Sequence, residues 1–244
     1  MAEFSIEIAG HSFRVSSLFE STREYCKHYF TDNAPEQQIT VHRGHLEFEQ
    51  EMLRQEAVTE GIRIRQFPDP FLERSSIQRA VAEYLFDKGI LMLHGSTVAV
   101  DGKAYLFTAK CGTGKSTHTR LWREVFGSRA VMVNDDKPFL KITHSGVWVC
   151  GSPWSGKHGL DTNITVPLQG ICILERGAEN QIRPCTAETA MPMLLHQGYC
   201  PLDPGKREKF EELVNSLAQK VTLRQMRCNK NPEAAYVAFG AMSK

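Results

Sequence analysis

The sequence predicts an α/β protein with a mixed sheet at its core, a small N-terminal α+β unit before it and helices at the C-terminus. Two observations predict this class. Beyond residue 90, short apolar runs typical of buried strands alternate with helical patterns. A glycine-bearing loop also joins one such strand directly to a helix, as in the nucleotide-binding α/β cores. The two units are expected to span residues 1–75 and 76–244.

The N-terminal unit shows two kinds of pattern. Alternating apolar and polar residues predict a hairpin within residues 4–15, and helices are expected near residues 21–30 and 48–58. A further helix, with apolar residues at helical spacing from Ile77 to Leu85, should end at Gly89. No motif in this unit indicates chemistry.

The core elements follow from apolar runs and turn signals. Asp101-Gly102 lies between two alternating segments, which favours a tight hairpin. The predicted strands are 90–93, 98–100, 103–109, 130–133, 139–142, 147–149 and 171–174, with a further edge strand at 223–227. The predicted helices are 115–126, 187–197, 206–221 and 232–242.

Composition excludes several classes of function. The 244 residues include 29 basic and 28 acidic side chains, so the net charge of +1 gives no case for nucleic-acid or membrane-surface binding. No apolar run approaches the ~20 residues of a membrane span. The acidic start lacks the positive region of a signal peptide. The seven cysteines are dispersed, odd in number and without a C-x-x-C pair, which favours reduced thiols and a cytoplasmic location.

The loop at residues 109–117 is the most informative stretch. Ala109-Lys-Cys-Gly-Thr-Gly-Lys-Ser-Thr matches G-x-x-x-x-G-K-[ST], except that Ala109 stands at the first glycine. Gly112 and Gly114 would let backbone N–H groups converge on phosphate oxygens, while Lys115 reaches the β- and γ-phosphates. ATP and Mg²⁺ are therefore the expected cofactors; the alternative is a chance glycine-rich turn. The residues expected at the nucleotide are Cys111, Gly112, Thr113, Gly114, Lys115, Ser116 and Thr117.

Two aspartates follow a second apolar strand. Asn134-Asp135-Asp136 stands at the carboxyl end of that strand, where open α/β sheets collect ligands. One carboxylate there can hold Mg²⁺ opposite the Ser116 hydroxyl, and the other can accept a hydroxyl proton. The alternative is a solvated Asp-Asp turn before Pro138.

Three further groups have two interpretations each. His94 also stands at a strand end, as a site residue or as a structural histidine. The polar loop Gly151–His158 carries Lys157, either as a flap whose lysine meets the transferred phosphate or as an ordinary surface loop. Glu175-Arg176 ends another strand, with a site role or a solvated salt bridge.

Together, His94-Gly95, Gly112-Thr-Gly-Lys-Ser-Thr, Asn134-Asp-Asp and Gly151-Ser-Pro-Trp-Ser-Gly-Lys resemble the HPr kinase/phosphorylase and phosphoenolpyruvate carboxykinase superfamily. The resemblance covers residues 80–185. Residues 113–122 and 134–138 look most like the compact HPr-kinase-like proteins of Gram-positive bacteria.

This resemblance implies a role for each matching residue. Asp135 matches the general base, and Asp136 the acid that binds the metal together with Ser116. Lys115 would bind the β- and γ-phosphates, His94 would lie near the γ-phosphate, and Lys157 would meet the transferred phosphate. The HPr kinases assemble as hexamers, so the resemblance is compatible with a homo-oligomer.

The expected function is a Mg²⁺-dependent kinase that transfers the γ-phosphoryl group of ATP to an alcohol. A small metabolite is favoured over a protein serine, because Glu175-Arg-Gly is not followed by the second glycine-rich stretch of the HPr kinases. An ATP hydrolase and a non-catalytic nucleotide-binding regulatory module are the alternatives, and two aspartates argue against the second. The sequence leaves open whether ATP, GTP or pyrophosphate is the donor.

Overall fold

The computed structural model describes residues 1–61 and 63–243, so Lys244, the last residue of the predicted core, lies outside the described residues. The chain forms two compact units that divide between Leu85 and Phe86. The expected boundary after residue 75 falls inside a helix that runs over Asp69–Asp87. The division therefore comes ten residues later than the sequence pattern indicates.

The first unit is a three-stranded sheet with helices. Strands β1 (Ala2–Ile8) and β2 (His11–Ser17) form the predicted antiparallel hairpin, which is confirmed. Strand β3 (Gln37–Thr40) pairs in parallel with β2 and was not predicted, because its four residues include a single buried side chain. The helices of this unit are α1 (Glu20–Tyr25), α2 (Arg43–Glu60) and α3 (Asp69–Asp87), of which the last two residues belong to the second unit.

The second unit is built on a nine-stranded mixed sheet. Its strands are β4 (Ile90–Met92), β5 (Ser96–Val100), β6 (Lys103–Thr108), β7 (Ala130–Asn134), β8 (Phe139–Thr143), β9 (Gly146–Cys150), β10 (Thr165–Arg176), β11 (Gln181–Pro184) and β12 (Thr222–Cys228). Its helices are α4 (Lys115–Phe126), α5 (Ala187–Gln197), α6 (Arg207–Lys220) and α7 (Glu233–Met242). The predicted mixed α/β class is thereby confirmed.

Strand direction brings the carboxyl ends of four strands together along one side of this sheet. This side is the shared sheet edge, and it is distinct from the outermost, or edge, strands. Strand β5 is antiparallel to both β6 and β7, and β10 runs parallel to β6 and β12. Strands β6, β7, β10 and β12 therefore all point the same way. Along the edge where they end, the strand order is β7, β5, β6, β10, β12 and β11.

Strand β12 corrects one prediction. The sequence pattern makes 223–227 an edge strand, but β12 lies between β10 and β11, and β11 forms the edge. Its pattern misleads because Leu223 and Met226 are buried while Gln225 and Arg227 lie at the carboxyl end of the strand, where they stay in reach of solvent. The hairpin at Asp101-Gly102 is confirmed, with φ of 52° and 77° at the two turn residues.

Alternate residues of β10 face two cores on opposite sides of the sheet. Ile171 and Ile173 pack in the cluster that holds α5 and α6, whereas Cys172 and Leu174 pack in the cluster that holds α4 and α7. Within the described residues, no helix has the length and apolarity that a bilayer span requires.

Candidate active site

The glycine loop, residues 109–114, connects β6 to α4. Gly112 and Gly114 have φ of 72° and 120°, a region that favours glycine. Among the described residues, the non-glycine positions with positive φ are Ala9 and Asp101, so the fully buried Ala109 adopts a backbone angle that alanine tolerates. No described side chain caps α4, so its first N–H groups lack a side-chain partner.

Two cationic side chains donate hydrogen bonds to carbonyl groups of this loop. The Lys115 Nζ donates to the Ala109 carbonyl at 3.1 Å, and the Arg176 guanidinium donates to the Gly112 carbonyl. Burial lowers the pKa of Lys115, and the nearby Cys111 and Asp136 act in the opposite direction. Arg176 was noted in the sequence only as half of a charged pair, and its contact with the loop could not be anticipated there.

Asp135 lies on the side of the edge that faces α4. Its Oδ1 accepts a hydrogen bond from the Ser96 Oγ at 2.6 Å, and the Ser96 hydroxyl also bonds that of Thr119 at 2.7 Å. Burial raises the pKa of Asp135, while hydrogen bonds from Ser96 and Ser116 oppose that rise. The structure thus brings Asp135 beside the Ser116 hydroxyl, whereas the resemblance assigns Asp136 to the metal together with Ser116.

Asp136 turns instead toward His94. The two side chains meet at 3.2 Å between His94 Nε2 and Asp136 Oδ1. Burial lowers the pKa of His94, so the ring is neutral at neutral pH and Nε2–H is the donor. Burial tends to raise the pKa of Asp136, but His94 together with Lys137 and Lys115 lowers it below its usual value.

Asn134 fixes the backbone on which both aspartates stand. Its Oδ1 accepts the N–H groups of Asp136 at 2.8 Å and of Lys137 at 2.6 Å. Its Nδ2 donates to the carbonyls of Ser152 at 2.8 Å and Trp154 at 3.3 Å. The buried amide of Asn134 therefore fixes the backbone of the acidic pair and links it to the 151–158 loop by hydrogen bonds.

The 151–158 loop lies against Asp136 through Gly156. A Cβ added at Gly156 would lie 3.1 Å from the Asp136 Cβ. Lys157 is exposed and makes no hydrogen bond or ion pair within the described part of the chain. Its neighbour His158 acts electrostatically on Asp135 and lowers the pKa of that carboxyl, so this loop influences the acidic pair through His158 as well as through Gly156.

No motif or spacing in the sequence singles out Gln197, which contacts His94 through its backbone. Its backbone carbonyl accepts the His94 N–H at 2.8 Å, and its side chain is only 8% exposed. The side-chain oxygen Oε1 finds no hydrogen-bond partner among the described residues. By contrast, the predicted Cys111 is exposed and Thr117 is half-buried.

Two oxygen donors at this edge are of the kind that Mg²⁺ takes in proteins. Within the described residues, no group of three or more His, Cys, Asp or Glu side chains could hold an ion. The adjacent Ser116 hydroxyl and Asp135 carboxylate are hard oxygen donors. Mg²⁺ is usually held by one or two such protein groups, with phosphates and water completing its shell.

Comparison with known proteins adds little to this geometry. No protein-family model and no curated protein matches the chain. Among solved structures, the Hpr(Ser) kinase/phosphatase from Coxiella burnetii matches 52% of this chain and 93% of its own, at 13% identity and a TM-score of 0.30. A superposition this loose carries no argument, so function is derived from the side chains above.

Proposed function

We propose that this protein is a Mg²⁺-dependent kinase that transfers the γ-phosphoryl group of ATP to a hydroxyl, on a small metabolite in preference to a protein serine. The observation that carries the proposal is the shared sheet edge. The glycine loop follows β6 and leads to Lys115 and Ser116 at the start of α4, while the two aspartates follow β7. Between them, Asp135 accepts a hydrogen bond from the Ser96 hydroxyl of β5 at 2.6 Å.

The glycine loop would bind the phosphates. Amide groups at the N-terminus of α4 and the Lys115 ammonium favour the charge on β- and γ-phosphates. Lys115 is held by the Ala109 carbonyl at 3.1 Å, a contact that a phosphate can replace. Bound Mg²⁺ would offset charge on the transferred group, with Ser116 and one aspartate as its protein ligands.

One aspartate would bind the metal and the other would act as general base, and two observations disagree on which is which. The raised pKa of Asp135 favours it as the base, whereas its burial among the Ser96 and Ser116 hydroxyls favours it as the metal-side carboxylate. Geometry takes precedence over pKa in assigning a base. We therefore give Asp135 the metal and Asp136 the proton, which exchanges the roles implied by the resemblance.

Asp136 is suited to that role because it remains reachable. Its side chain is 33% exposed, and the neutral His94 orients one of its oxygens through Nε2–H. In the transfer, the acceptor oxygen bonds to the γ-phosphorus, the bond from that phosphorus to the bridging oxygen breaks, and ADP leaves. The acceptor proton goes to Asp136.

The test is a screen of metabolite and peptide pools with γ-labelled ATP, comparing the wild type with Lys115→Ala. Lys103→Ala is the matched control, since Lys103 is an exposed lysine at the opposite end of β6. Label should move to an acceptor in the wild type and the control but not in Lys115→Ala. ATP consumption without acceptor would make the protein a hydrolase, and binding without turnover would make it a regulatory module.

A further inference from the structure

A polar groove lies at the carboxyl ends of β10 and β12 beside the edge strand β11. Its volume is about 270 Å³. The residues that line it are Glu175, Gln181, Ile182, Arg183, Gln225 and Arg227. None of them has a part in the phosphoryl transfer proposed above.

The groove begins one strand away from the glycine loop. Strand β10 pairs with β6, the strand that leads into the loop, and Ile173 stands opposite Thr108 in that pairing. Because neighbouring strands lie about 4.8 Å apart, Glu175 at the end of β10 is close to the loop. The next residue, Arg176, donates directly to the Gly112 carbonyl.

The aspartates lie on the opposite side of the same loop. Along the edge, β7 with the acidic pair and β5 with Ser96 precede β6, and β10, β12 and β11 follow it. A polyphosphate seated on the loop with its terminal phosphate toward Asp136 therefore extends in the other direction toward the groove.

The lining is held in place by its own hydrogen bonds. Gln225 donates to Glu175, and the Arg183 Nε and Nη2 donate to Gln225 Oε1 at 3.2 and 2.8 Å. Arg227 Nε reaches Glu175 Oε2 at 3.3 Å. These bonds leave further guanidinium N–H groups of both arginines for a ligand, and a guanidinium plane also stacks well on an aromatic ring.

We propose that this groove is the nucleoside subsite of the kinase, which holds the ribose and base of ATP while the phosphates lie on the glycine loop. The chemistry fits, since Glu175 can accept from ribose hydroxyls and the Arg183 guanidinium offers a planar surface to a base, whereas the Ile182 side chain packs against the core on the opposite face of the sheet. The size fits too, because small-molecule sites typically reach ~300–1,000 Å³ and this groove would take only part of the nucleotide.

The inference rests on the proposed function, since it assumes that phosphates bind at the loop. It also goes further, because it assigns particular residues of β10, β11 and β12 to the ribose and base of the donor. It gives a reason for the polar residues of β12, which is an internal strand whose end carries Gln225 and Arg227.

Calorimetric titration with two probes, ADP and inorganic pyrophosphate, each with Mg²⁺, tests this. Arg183→Ala and Glu175→Gln should weaken ADP binding roughly tenfold or more, the effect of losing about one good contact, and leave pyrophosphate binding unchanged. Arg207→Ala is the matched control, because Arg207 is 62% exposed in an ion pair with Glu211 on α6. Unchanged thermal unfolding of each variant excludes misfolding.

Two results would overturn the inference. ADP binding that is unaffected in both groove variants would show that the nucleoside lies elsewhere. Equal loss of ADP and pyrophosphate binding would show that the groove supports the phosphate loop instead. If the wild type binds neither probe, the proposed function itself fails, and that outcome is distinct from the other two.

Discussion

Asp135 and Asp136 are adjacent in the chain and yet lie in opposite environments. Successive residues near a strand end point to opposite sides, so one carboxylate meets the hydroxyls beside α4 and the other meets His94. Burial raises the pKa of Asp135, while His94, Lys137 and Lys115 outweigh burial and lower that of Asp136. Neutral substitutions of the two aspartates should therefore impair different properties, Mg²⁺ dependence for one and transfer rate for the other.

Asp135→Asn should raise the Mg²⁺ concentration needed for half-maximal transfer by about tenfold or more, the scale of a lost metal-site contact. Asp136→Asn should leave that dependence unchanged and lower the transfer rate by about two orders of magnitude or more, as expected for loss of a general base. Initial rates across a Mg²⁺ series separate the two effects. The reverse pattern would restore the roles that the resemblance implies.

The buried side chain of His118 should make the free energy of unfolding depend on pH. It is 2% exposed, and burial lowers its pKa from 6.5 to about 4. The folded state therefore binds fewer protons than the unfolded chain between these values. The stabilising contribution is complete above pH 6.5 and is lost as the pH falls toward 4, amounting to about 3 kcal/mol at most.

The variant that checks this is His118→Gln, whose amide oxygen can still accept from Trp122 Nε1, the donor that contacts His118 at 3.1 Å. We expect the free energy of unfolding of the wild type to fall more steeply between pH 6.5 and 4 than that of the variant. Denaturant unfolding at several pH values measures both slopes. Parallel slopes would mean that His118 titrates normally.

At the scale of elements, the strand–loop–helix unit could be predicted because its signals are local. The hairpin at Asp101-Gly102 and the helix over Lys115–Phe126 both follow from short patterns, and both are confirmed. Strand β12 was misjudged, since its position between β10 and β11 depends on pairings with distant segments.

The candidate site likewise contains residues that sequence motifs identify and residues that only the structure shows. Lys115, Ser116 and the two aspartates stand out as motifs, and the structure brings them to one edge, although their roles stay predictions. The influence of His158 on Asp135 and the burial of Gln197 beside His94 have no local signature. Both depend on contacts between segments far apart in the chain, which no spacing encodes.

The 151–158 loop gives a prediction at this scale through its glycines. Gly156 and Gly159 have φ of +69° and +58°, so alanine at either position should destabilise the fold by about 1 kcal/mol. Only at Gly156 does the added Cβ approach Asp136, at 3.1 Å, whereas nothing lies within 4 Å at Gly159. Gly156→Ala should therefore lower the transfer rate and Gly159→Ala should not.

Paired measurements of thermal unfolding and transfer rate test this. Similar losses of stability in the two variants show that the backbone strain is matched. If both variants then transfer phosphate equally well, contact of this loop with Asp136 is irrelevant to the reaction.

At the scale of the whole molecule, the site is assembled by sheet topology. The glycine loop, the acidic pair and Arg176 come from three separate strands, and they meet because β6, β7 and β10 end at one edge. A ligand that joins these strand ends binds the folded sheet and not the unfolded chain. Nucleotide binding must therefore add to the stability of the second unit.

Mg²⁺ with ADP at a hundredfold excess over its dissociation constant should raise the free energy of unfolding by about 2.7 kcal/mol. Scanning calorimetry across an ADP series measures the shift as a rise in melting temperature. The rise should shrink when a chelator removes Mg²⁺, because Ser116 and Asp135 would then have no ion to hold with the nucleotide. It should disappear in Lys115→Ala and persist in Lys103→Ala, since Lys103 lies at the far end of β6. An equal rise in both lysine variants would mean that ADP binds away from the glycine loop, and the shared sheet edge would then have no part in recognising the nucleotide.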